Sequence, residues 1–224
     1  MPKAPSDSKS DSTPTALRVE WRSTPSLRRV HALNERSIEV MVQLARASRE
    51  RASIDVVNRF RSLLSGLDIA ARRRAARCPV LLMDVHFQSG DWWRWAGAPR
   101  SAGRRRVLPQ NGFPAKLAGE LMRETLMLAW STAGADRSAA CVLLGMTPAV
   151  SNIIAELGPQ DVERISARHS RHLRPRWEDL PAFWKGLLIA ARDGDEDLLH
   201  DVHLHSIQLL GGELIPQLEK SAAH

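Results

Sequence analysis

The order of residues in this chain repeats, and that limits the folds open to it. Leu67-Asp68-Ile69-Ala70 through Phe87 lies over Leu157-Gly158-Pro159-Gln160 through Trp177 without a gap, at an offset of 90. Ala71 then meets Asp161, Arg74 meets Arg164, and Phe87 meets Trp177. Upstream, Leu44-Ala45 meets Leu128-Ala129 at an offset of 84, and Arg51 meets Arg137 at 86. The second half therefore carries a few extra residues around Gly145-Met146-Thr147-Pro148. Identities are few, so the order and spacing of the pattern carry the repeat. The length of 224 residues accommodates two such units of about 100 each.

The division falls where Gly97, Pro99, Gly103, Pro109, Gly112 and Pro114 punctuate the chain too often for a helix. This gives a tail at 1–17, an Arg-rich half at 18–96, a linker at 97–115, a second half at 116–212 and a short tail at 213–224. The first tail is rich in Ser, Pro, Asp and Lys, lacks the apolar centre of a secretory signal, and reads as disordered. The charge is as divided as the pattern. Residues 18–116 carry 20 basic and 8 acidic side chains, and residues 117–224 carry 10 and 15. A basic first half beside an acidic second half points to a polyanion partner for the first. A solvated Arg-rich surface is the alternative.

Apolar residues make up 43% of the chain, enough for a sizeable core, and no run approaches a membrane span. Spacing of three and four predicts helix over 31–64, then a short helix capped by Asp68 and stopped by Pro79. Val80 through Phe87 reads as a strand, with Trp92, Trp93 and Trp95 crowded before the linker. Further helices are expected at 116–133, 136–144, 148–157, 159–169, 179–191 and 194–211, with an extended piece at 172–177. Thr147 before Pro148 makes a good helix start. The fold class is mainly α with one short strand in each half. Cys78 and Cys141 stand alone, which excludes a Cys-based zinc site and a disulfide scaffold and suits a reducing, cytoplasmic compartment.

In the second half the series Leu126-Met127-Leu128-Ala129, Asp136-Arg137-Ser138-Ala139-Ala140, Leu144-Gly145-Met146, Ala155-Glu156-Leu157, Pro159-Gln160 and Val162 resembles FlhD, the helical subunit of the bacterial flagellar master regulator. Leu173-Arg174-Pro175-Arg176-Trp177 takes the place of that family's aromatic and basic strand. In the first half, Leu81 through Phe87 resembles it more clearly, with His86 and Phe87 at the ending. An FlhD chain is about half as long as this one. The resemblance covers 117–210 well and 37–95 weakly. It implies dimer-like association, a zinc-containing partner of the FlhC type and joint contact with promoter DNA. Two tandem halves then suggest a pseudo-dimer within one chain, or a homo-oligomer. Pro175 argues against a central strand.

On that reading Arg72, Arg73, Arg77, Arg104, Arg105, Arg106, Arg171, Arg174 and Arg176 are the candidate phosphate contacts. Leu126, Leu128, Trp130, Leu81, Val85 and Phe87 are the candidate subunit interface. His200, His203 and His205 with Asp197 and Asp201 have a spacing that a metal could use, but a polar helix surface is the default. The seven tryptophans suit a core or interface better than base stacking. No nucleophile elbow, phosphate loop or dinucleotide fingerprint is present, nothing calls for a cofactor, and the expectation is a regulator rather than an enzyme. A protein-interaction adaptor that binds no DNA is the competing reading.

Overall fold

The computed structural model describes residues 25–47, 54–98 and 112–222. Pro25 stands at the start of α1 (Pro25–Ala47), where its fixed φ suits a first turn. Leu27, Val30, Leu33, Ile38, Met41, Val42 and Ala45 recur at helical spacing and are all buried. Two short helices follow, α2 (Asp55–Arg59) and α3 (Arg61–Ser65), so the expected helix over 31–64 is broken. Asp68 caps α4 (Ile69–Ala76), its carboxylate accepting from the Ala71 amide at 2.6 Å. A two-residue strand, β1 (Met83–Asp84), leads to α5 (Gly90–Gly97).

The second half runs in the same order. It comprises α6 (Ala115–Ala135), α7 (Arg137–Leu144), α8 (Pro148–Ala155), α9 (Pro159–His169), a 3-10 turn at Ser170–His172, β2 (Arg174–Pro175) and α10 (Pro181–Asp193). Asp136 and Thr147 cap α7 and α8 through the amides of Ala139 and Val150. A last helix, α11 (Glu196–Ala222), has no counterpart in the first half. The chain is mainly α, as its patterning predicts. Among the described residues, no single helix is long and apolar enough to cross a membrane.

Both strands are shorter than their apolar runs suggest. Val80, Leu81 and Leu82 are buried, but the Val80 carbonyl and the Leu81 and Leu82 amides are spent elsewhere than on a ladder. The Asn34 amide donates to the carbonyl of Val80 at 3.0 Å and accepts from the Leu82 amide at 2.9 Å. Leu81 donates to the Leu143 carbonyl at 2.8 Å. Fully buried Asn34 thus serves as the strand neighbour that the first half lacks.

The two strands pair antiparallel, Met83 opposite Pro175 and Asp84 opposite Arg174. The Arg176 amide donates to the Leu82 carbonyl at 2.7 Å. Pro175 therefore occupies the pair between hydrogen-bonded ones, where a missing N–H costs nothing. Asp84 and Arg174 are also the positions that the offset of 90 matches. The chain leaves both strands through left-handed backbone, at His86 (φ +49) and Trp177 (φ +53).

Packing crosses between the halves. Helix α5 lies on α8 and α9, while α10 lies on α3 and α4. One hydrophobic cluster, with Trp93 and Trp184 fully buried in it, runs through both halves. Most of the expected linker falls on residues 99–111, which lie outside the described residues. The expected tail at 213–224 is corrected: α11 continues through Gly211-Gly212 to Ala222. Glu213 helps hold it there, accepting from the Trp177 indole at 2.7 Å and the Gln88 amide at 2.5 Å.

Candidate functional site

The strand pair sits at the joint between the halves, and the charged groups gather around it. Asp84 is nearly buried and accepts from the amides of His86 and Phe87 and from Arg174 Nε and Nη2, at 3.2 to 3.3 Å. Burial alone raises its pKa, but the guanidiniums of Arg176 and Arg174 and the Phe87 amide outweigh it and hold the carboxyl below its usual range. Asp84 is an ion-pair hub, with its oxygens committed.

Arg176 is 4% exposed. It donates to the Leu144 carbonyl at 2.7 Å and reaches Glu213 at 3.4 Å. The turn beside it has to be glycine. Gly145 has φ +67, and a Cβ there would stand 2.2 Å from an Arg176 nitrogen and 2.6 Å from Leu210. The Leu144-Gly145 turn thus cradles a buried guanidinium. A cleft of about 410 Å³ opens alongside, lined by Asp84, Glu178, Asp179 and Glu213 against Arg174 and Arg176. Carboxylates outnumber cations there, so the cleft does not suit phosphate.

Two arginines matched by the offset of 90 perform the same task on opposite sides. Arg74, on α4, donates to the carbonyls of Ala191 at 2.7 Å and Arg192 at 3.4 Å, in the last turn of α10. Arg164, on α9, donates to the Gly97 carbonyl at the end of α5 at 2.8 Å and pairs with Asp161 at 2.6 Å. Each guanidinium meets the unsatisfied carbonyls and negative end of a helix from the other half. The indoles show a similar correspondence. Trp93 donates to the His86 carbonyl at 3.1 Å, and Trp184 to the Arg176 carbonyl at 2.9 Å.

The Arg164 side carries a further cluster. His86 and His172 share a hydrogen bond at 3.0 Å, one donating and the other accepting. The rings of Trp92, Trp95 and His169 close around them at 4.9 to 5.8 Å. Burial lowers the pKa of all three histidines. Asp84 partly offsets this at His86, and arginines add to it at His169. At His172, burial, His86, His169, Arg171 and Arg174 push it down to about 4.

These positions redistribute the candidate contacts. Arg176 is buried and so is corrected to a structural role, whereas Arg174 pairs with Asp84 while its side chain stays half exposed. Arg72 reaches Glu39 at 3.8 Å, and Arg73 pairs with Glu35 at 3.2 Å. Arg77 and Arg171 are exposed, as is Arg168. Among the described residues none of these three has a carboxylate within ion-pair reach. Arg104, Arg105 and Arg106 lie outside the described residues. Leu126, Leu128, Leu81, Val85 and Phe87 are buried in the chain's own core, with Trp130 packed against it. They are therefore unavailable to a second copy. Among the described residues no group of three or more His, Cys, Asp or Glu could hold a metal, the histidines of α11 included.

No family model, curated protein or solved structure matches this chain. Sequence reasoning aligned Arg74 with Arg164 but missed their task. It also missed the pairing of His86 with His172, 86 residues away. The matched arginines were the available signal.

Proposed function

We propose that this chain is a cytoplasmic regulator of transcription that works by association, resembling FlhD, with its two halves acting as an intrachain pseudo-dimer. The observation that carries this reading is the reciprocal exchange at the joint. Arg74 holds the end of α10, and Arg164 holds the end of α5. Association within the chain consumes the apolar surfaces that a two-chain assembly would use. DNA contact then falls to arginines with no internal task. Among the described residues these include Arg28, Arg29, Arg59 and Arg77 in the first half and Arg137, Arg168 and Arg171 in the second, and the Arg104-Arg105-Arg106 run, outside the described residues, is a further candidate contact. Such contacts neutralise phosphates and carry affinity more than sequence choice. A zinc-containing partner of the FlhC type is expected to supply the base reading.

The test is binding of the full chain, alone and with an FlhC-type partner, to labelled promoter DNA across a salt series. Binding should weaken steeply with salt. Replacing Arg77 and Arg171 with Ala should lower the salt slope by about 1 for each phosphate no longer neutralised. Replacing Arg104, Arg105 and Arg106 with Ala should abolish binding. Absence of binding in both settings at low salt sinks the DNA contact and leaves the adaptor reading. The commitment of Arg72, Arg74, Arg164 and Arg176 to partners within the chain favours that second reading.

A further inference from the structure

Arg164 clasps the end of α5 to α9, and beside that clasp an open aromatic ring stands among arginines. Trp95 is 40% exposed, the most open of the described tryptophans. Its ring does not hang free. It meets the His169 ring edge-on at 4.9 Å and lies 6.3 Å from Trp92. His169 is buried, which gives the indole a fixed backing. The Gly97 carbonyl, two residues past Trp95, accepts from Arg164 at 2.8 Å and fixes this end of α5. A large flat ring held open to water on a rigid base is a platform rather than a core residue.

Charge says what the platform fits. Asp91 pairs with Arg94, Asp161 with Arg164, and Glu163 with Arg123 on α6. These are all the acidic residues of α5, α9 and the turn after it. Arg168 and Arg171 are exposed and, among the described residues, have no carboxylate in ion-pair reach. Burial first, then Arg171, Arg168 and Arg164, lowers the His169 pKa, which puts these guanidiniums around the ring that backs Trp95. Helices α6 and α8 pack against the same elements. They add exposed Lys116 and, just past α8, exposed Glu156, so the surplus stays positive. Arginines beside an open ring suit a single strand, whose phosphates take the cations and whose unpaired base lays its face on the indole. A duplex keeps its base faces covered, and an acidic protein segment would satisfy the arginines but leave the ring bare. We propose that Trp95, with Arg168 and Arg171, is a stacking site for an unpaired base of a DNA strand. The carboxylates of Asp91 and Asp161, which could hold a ribose hydroxyl, are already paired, so the site asks nothing of the sugar.

This site is independent of the regulatory reading, since a chain that binds no promoter duplex can still hold a single strand. The probe is a labelled oligothymidylate of about 12 nucleotides, within the span of one such site. The full chain should bind it at low salt, read by fluorescence anisotropy. An abasic strand of the same length, with the same phosphates, should bind about tenfold more weakly, because stacking one base is worth about a decade of affinity. Trp95→Leu should weaken the oligothymidylate by a similar factor and leave the abasic strand unchanged, and Trp95→Phe should restore most of the loss. Arg168→Ala and Arg171→Ala should each lower the salt slope by about 0.7. Arg104, Arg105 and Arg106 are kept in every variant, so any phosphate contact of theirs is common to all. The abasic comparison uses the unaltered chain and decides the matter even where Trp95→Leu unsettles the fold. No binding at low salt overturns the proposal, as does equal binding of the two strands or indifference of a folded Trp95→Leu chain. So does binding of oligouridylate without oligothymidylate. Polyglutamate competing as well as oligothymidylate also overturns it, and marks an acidic protein segment as the occupant.

Discussion

The Arg74 joint and the Arg164 joint make the same bond, a guanidinium on the carbonyls that end a helix from the other half. Their surroundings differ. Arg74 lies against the last turn of α10, beside Gly194. Arg164 lies beside His169, with Trp92, Trp95, His86 and His172 packed further round. The strand exits differ too. The second half places Arg176 where the offset of 90 gives the first half His86, and only the second half has a left-handed glycine to receive it. One backbone plan therefore supports a permanently charged lock on one side and a neutral, titratable one on the other. Breaking each side separately should give effects of different kinds.

The largest effect is expected at Gly145. Any side chain there meets positive φ and, at 2.2 Å, the buried Arg176 nitrogen. Displacing that guanidinium from Leu144 and Glu213 leaves a buried charge short of partners, so Gly145→Ala should cost about 4 kcal/mol. Gly194 also has positive φ (+72), but its Cβ would lie 3.8 Å from Arg74, an ordinary contact. Gly194→Ala should therefore cost only about 1 kcal/mol, the backbone penalty alone. Urea unfolding of the pair measures the difference, and equal costs would contradict the cradle.

The titratable side should respond to acid. The folded pKa values of His86, His169 and His172 lie below the ordinary histidine value of 6.5, that of His172 at about 4. Folding then favours the neutral rings. Their contribution is fully present above about pH 6.5 and is lost as pH falls from there toward about 4. Two protonated rings cannot share the His86–His172 bond, because neither has an acceptor left. The urea midpoint should fall steadily between about pH 7 and 5. His172→Phe keeps a ring in the cluster and should flatten that fall, while substitutions at Arg74 leave its slope unchanged.

Much of the fold was legible in the sequence, because it depends on neighbours along the chain. Helical spacing, the Asp68 cap and the Thr147-Pro148 start are local signals, and the structure carries them. Helix α5 was not legible. Its eight residues begin and end with glycine and hold three tryptophans, which have only middling helix preference. The end of α11 was not legible either: the pattern ends it at 211, whereas Glu213 anchors the helix from Trp177 and Gln88 and it runs on to Ala222. The site was the least legible part. Arg72, Arg73 and Arg74 look alike in a row, and what separates them is a carbonyl 117 residues away.

That last point leads to the smallest effects and the closest comparison. Arg74 donates to two helix-end carbonyls from a partly buried position, so Arg74→Met, which keeps the packing of the stem, should cost about 2 kcal/mol. Arg164 reaches one such carbonyl with help from Asp161, and Arg164→Met should cost about 1 to 2 kcal/mol. Arg73 is 67% exposed and pairs with Glu35 on the surface, so Arg73→Met should change stability by no more than about 0.5 kcal/mol. The double variant of Arg74 and Arg164 separates two pictures of the joint. Costs that add within about 0.5 kcal/mol mean two independent clasps. A larger discrepancy means that loosening one helix end already frees the other, and the halves then act as one cooperative unit.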